Sequence, residues 1–71
     1  MTPQPGDIWQ YTQPNRDDNG LTVLIHEYMG CHPSHFSAGN EYSYFGYDMI
    51  AGEYDEFIFN AENMVYWRKL A

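Results

Sequence analysis

Basic residues are nearly missing from this chain. Arg16, Arg68 and Lys69 face ten Asp and Glu residues, for a formal charge of −7 over 71 residues. A surface that acidic repels phosphate backbones, which argues against direct binding of DNA or RNA. Cysteine is as scarce: Cys31 stands alone, so no disulfide can staple the fold within one chain, and a lone thiol fits a reducing compartment. Long apolar runs are missing too. The longest aliphatic stretch, residues 21–25, is interrupted by Thr22 and falls far short of the ~20 residues that span a bilayer. The opening Met1-Thr2-Pro3-Gln4-Pro5 has neither the basic start nor the apolar core of an export signal. The expectation is a cytoplasmic protein that is not held in a membrane.

What the chain has in quantity is rings. Two Trp, four Phe and seven Tyr stand among 71 residues, a length that makes one domain, residues 1–71, with a barely sufficient core. Each ring can bury ~150–250 Å², so a handful supply that core without staples. Thirteen are more than a small core can hide. Some Tyr rings are therefore expected at the surface, where they favour a held partner or a homodimer.

The rings sit in short period-two runs separated by Gly, Asn, Asp and Pro clusters, which is an all-β pattern. Residues 7–12 read as a first strand, with Ile8 and Gln10 on one face and Trp9 and Tyr11 on the other. A polar loop over 13–20 closes on Asn19-Gly20, a strong turn signal. Residues 21–28 form the clearest strand, with Leu21, Val23 and Ile25 facing inward. Residues 29–41 read as the longest loop. The stretch 42–50 is an aromatic strand interrupted by Gly46, as at a bulge or tight bend. After a turn at 51–53 comes a strand over 54–60, then one helical turn at 60–63 capped by Asn60, and a last strand over 65–70. The expected core is Ile8, Val23, Ile25, Phe57, Phe59, Val65 and Trp67, with Asp17, Asp18, Glu53 and Asp55 left in solvent.

The stretches PGDIWQY, NGLTVLIHEY, YSYFGYDMI with EYDEFIFN, and NAENMVYWRKL, in that order, resemble the SH3-like small barrels of phage and bacterial proteins. The resemblance implies a five-stranded barrel with one short helical turn before the last strand. It carries no functional residue across, because the fold serves binders of proteins, peptides and nucleic acids alike.

Three groups of side chains have chemistry to offer. Cys31, His32 and His35, with His26 or Glu27 as a fourth, have the donor types of a zinc site. Paired spacing of the CxxC or HxxxH kind is lacking, and adjacent Cys31 and His32 rarely converge on one ion, so no metal is assigned. A Cys31 nucleophile with His32 or His35 as base would need a depressed thiol pKa, and an acidic chain offers little positive potential to depress it. The carboxylates Asp48, Glu53, Asp55 and Glu56, with Asp17 and Asp18, crowd the second hairpin and the first loop. At turns they stay solvated and ionised, which suits a negative surface better than acid–base catalysis. The rings of Trp9, Tyr11, Tyr42, Tyr44, Tyr47, Tyr54, Tyr66 and Trp67 are divided between core and surface.

The expectation is a non-catalytic acidic module without cofactor. It binds a host protein that itself has a basic surface, with Asp48, Glu53, Asp55 and Glu56 giving charge and Tyr44 and Tyr54 giving anchors. With the resemblance, this points to a phage-type inhibitor or modulator of a nucleic-acid-handling or defence protein. The alternatives are a small-ligand or nucleotide binder with aromatic walls, and a protein with a metal-binding loop.

Overall fold

Alternation of apolar and polar residues is realised as one antiparallel sheet in the computed structural model, which describes residues 2–13, 20–33 and 39–71. Strands β1 (Ile8–Tyr11), β2 (Leu21–Pro33), β3 (Asn40–Asp48), β4 (Glu53–Asn60) and β5 (Trp67–Lys69) lie in the order β4-β3-β2-β1-β5, with a 3-10 helix, Met64–Tyr66, leading into β5. Asp17, Asp18 and His35 lie outside the described residues.

The sheet curls on itself. Phe59 of β4 and Trp67 of β5 belong to opposite ends of the strand order, yet their ring centroids are 4.3 Å apart. The barrel is not closed: among the described residues no backbone ladder joins β4 to β5. The turn at 61–63 and the 3-10 helix intervene, and β5 is only three residues long. Reciprocal hydrogen bonds shape that connection. Asn60 N–H donates to Asn63 Oδ1 at 2.9 Å, and Asn63 N–H donates to Asn60 Oδ1 at 2.8 Å. The helical turn therefore falls after Asn63 and not over residues 60–63.

The concave face holds the core of Trp9, Tyr11, Val23, Ile25, Tyr44, Phe59 and Trp67. Its rings meet edge-on, Trp9 to Phe59 at 5.8 Å, Tyr44 to Phe59 at 5.3 Å and Tyr11 to Trp67 at 5.1 Å, the geometry that ring quadrupoles favour. Two core expectations need correction. Ile8 is only half-buried on the convex face, because β1 turns Trp9 and Tyr11 inward. An indole buries more area than an isoleucine, and the Trp9 N–H keeps an acceptor in Asp7 Oδ2 at 3.2 Å. Val65 is 77% exposed, because it lies in the 3-10 helix, where residues step by a third of a turn and Met64 and Tyr66 pack inward instead. Phe57 is half-buried against the core.

Strand β2 is longer than its first eight residues suggest. Its ladder with β3 runs on through Gly30↔Ser43, Cys31↔Tyr42, His32↔Glu41 and Pro33↔Asn40. Register shifts between Ile25 and Glu27 and between Tyr28 and Gly30 leave His26 and Met29 as extra residues on β2. Such bulges increase local twist, which suits a sheet that must curl. Gly46 stands opposite the first one. A Cβ there would lie 2.7 Å from Val23 Cγ1 and 2.8 Å from the Leu24 carbonyl oxygen, so only glycine allows this approach.

Candidate functional site

The convex face of β2, β3 and β4 carries a second ring cluster, in solvent contact. Register puts Leu24, Tyr47 and Tyr54 in one row across the three strands and Glu27, Phe45 and Glu56 in the next. The Phe45 and Tyr54 rings stack at 5.4 Å with an interplanar angle of 6°. Tyr47 meets Tyr54 at 5.0 Å, and the bulged His26 meets Tyr54 at 5.2 Å and Phe45 at 6.3 Å. Tyr54 is 56% exposed, Phe45 and Tyr47 are half-buried, and His26, Glu27 and Glu56 are exposed. Phe45 is thus flanked across both neighbouring strands by glutamates, at the close range of directly opposed side chains.

The expected binding residues separate on this framework. Tyr54 and Glu56 lie on the convex face. Glu53 and Asp55 are exposed but alternate to the opposite side of β4, an edge strand. The Asp48 carboxylate is engaged by the turn after β3, where Oδ1 accepts the N–H groups of Ile50 and Ala51, each at 2.9 Å. Tyr44 is 3% exposed, a core ring between Tyr28 and Phe59, and so offers no surface anchor. Glu27, Phe45 and His26 were not expected together. Phe45 and Tyr47 alternate visibly with Tyr44 and Gly46, but the bulge that turns His26 toward them leaves no mark in the sequence.

Charge is divided along the sheet. Glu53, Asp55 and Glu56 line one outer strand, β4, while Arg68 and Lys69 sit on the other, β5. The two cations are locally engaged: Arg68 Nη2 donates to Gln10 Oε1 at 3.4 Å, and Lys69 Nζ lies 3.7 Å from Asp7 Oδ1. The ring cluster therefore has carboxylates beside it and these cations two strands further on.

Cys31 and His32 lie on β2 and not in a loop, and the thiol is exposed. Adjacent strand residues point to opposite faces, which separates the two donors. His32 Nε2 lies 3.1 Å from Glu41 Oε2 across the ladder. Among the described residues no three His, Cys, Asp or Glu side chains are placed to hold one ion. No helix among them is long and apolar enough to cross a membrane. Comparison with protein-family models, curated proteins and solved structures found no match for this chain.

Proposed function

We propose that this chain is a non-catalytic protein-binding module of SH3-like architecture, which docks a basic protein surface on the convex face of β2, β3 and β4. The carrying observation is the row Glu27, Phe45 and Glu56 beside the stacked Tyr54 ring. A guanidinium lying on a ring face gains cation–π attraction, and a carboxylate on either side of the ring supplies its hydrogen-bond acceptors. Glu53 and Asp55 on the edge strand extend the negative field and steer the approach. The strand order, with a 3-10 helix before the last strand, supports the SH3-like reading. That reading, with the net charge of −7, makes a phage-type inhibitor of a host nucleic-acid-handling or defence protein the role we favour.

Affinity capture followed by kinetics tests this. A protein captured from host lysate should elute as salt rises, since attraction is screened over ~8–10 Å. Its affinity should fall about tenfold or more when Glu27 and Glu56 are both changed to Lys, and Tyr54→Ala should raise its dissociation rate. A partner held equally by wild type and both variants, at any salt, would sink the proposal.

A further inference from the structure

A recess lies on the other side of β2 and β3, and the docking face does not account for it. Residues 2–5 fold back over the sheet and leave a cavity of about 290 Å³ between themselves and the rings of Tyr28, Tyr42 and Tyr44. We propose that this cavity binds one neutral, planar nitrogen heterocycle of nucleobase or nucleoside type.

The recess is built in advance. Gly6 N–H donates to the Ile25 carbonyl at 2.8 Å and Asp7 N–H to the Gln4 carbonyl at 3.0 Å, while Gln4 N–H donates to Asp7 Oδ2 at 2.9 Å. Pro3 is buried. The segment that forms one wall is thereby fixed to the sheet that forms the other. Tyr28 and Tyr44 approach at 5.2 Å with their planes tilted by 53°, and Tyr42 packs against the core beside them.

Size, polarity and charge narrow the occupant. The volume falls just under the ~300–1,000 Å³ typical of small-molecule sites, which suits one fused ring system and not a peptide or dinucleotide. Aromatic walls favour a flat ligand, because every base has a π-face to stack. Thr2, Gln4 and the three tyrosines bring polar groups to the wall, with the Gln4 amide donating to the Thr2 hydroxyl at 3.4 Å, and a ligand with donors and acceptors of its own can join them. Burial raises the Tyr28 and Tyr44 hydroxyls above their ordinary range, so they remain protonated donors. Among the described residues no charged side chain lines the cavity, and the Asp7 carboxylate nearby opposes anions. A phosphate finds no counter-charge among the described lining residues, which sets nucleosides above nucleotides.

An amide-resolved NMR titration of the whole chain with adenosine, guanosine, cytidine and uridine in turn, each beside its 5′-monophosphate, tests the proposal. At least one nucleoside should give saturable shifts at Gln4, Tyr28, Tyr42 and Tyr44, with its monophosphate about tenfold weaker or worse. Alkylation of Cys31, opposite Tyr42 in the ladder, should slow when that nucleoside is bound. Tyr28→Ala, at a ring 47% exposed, should weaken binding about tenfold while the melting transition stays cooperative. Absence of saturable binding by all four, shifts that map elsewhere, or monophosphates that bind as tightly would each overturn it.

Discussion

The two faces of the sheet are both aromatic, and they put their rings to opposite uses. On the concave face Tyr44, Phe59, Trp9 and Trp67 meet edge-to-face or tilted and are almost wholly shielded. On the convex face Phe45 and Tyr54 stack nearly parallel, and water reaches more than half of Tyr54. Curl is what separates them. A twisted sheet that wraps one face around itself stretches the other open, so rings form a core on one side and a solvent-facing surface on the other. Neighbouring residues of one strand, Tyr44 and Phe45, belong to different functions because side chains alternate with period two.

The comparison can be broken most directly at Tyr44. Tyr44→Ala removes a ring from between Tyr28 and Phe59, and loss of a buried aromatic costs about 3–5 kcal/mol. Small domains have ~5 kcal/mol or little more in total, so the variant should lose most of its cooperative melt, followed by circular dichroism. A melt near wild type would mean that the concave face is not the core.

How far this division was legible in the sequence depends on the residue. Val23, Ile25, Phe59 and Trp67 follow from alternation, and all four are buried. Alternation alone does not say which face of β1 turns inward, and the aliphatic Ile8 was expected there in place of Trp9. Val65 fell to a change of period, since a 3-10 turn occupies a position that reads equally well as strand. Residues 31–33 look like loop because of Gly30 and Pro33, yet the β2–β3 ladder carries them; long-range pairing overrides local propensity. The binding face was legible only in part. Tyr54 and Glu56 were expected, but their alignment with Phe45 and Glu27 is set by the register of three strands and by a bulge that shifts it.

A middle-sized effect should come from Asp7, which ties the N-terminal segment to the concave side. Its pKa is lowered from 3.8, first by the Gln4 N–H, then by the Trp9 indole and Lys69, against the opposing effect of burial. A carboxylate whose folded pKa is depressed adds stability that is present above its unfolded value and lost as pH falls through the folded one. The wild type should therefore lose melting temperature below about pH 4, and Asp7→Asn should flatten that part of the profile while melting lower at neutral pH. Parallel profiles for the two proteins would detach Asp7 from the acid limb and weaken its place on the concave side.

The smallest effect on stability is expected on the convex face. Tyr54→Ala deletes the ring that contacts Phe45, Tyr47 and His26, but that ring is more than half in water already. Little hydrophobic burial is lost, and exposed ring pairs contribute about 0.5–1.5 kcal/mol between them. The variant should fold and melt within a few degrees of wild type, since ~1 kcal/mol moves the midpoint of so small a domain by roughly 4–8 °C. A collapse comparable to that of Tyr44→Ala would show that the convex cluster is a second core and not a surface. Stability retained with partner binding lost would instead sharpen the contrast: the concave rings then hold the sheet in shape, and the convex rings are held ready by it for another molecule.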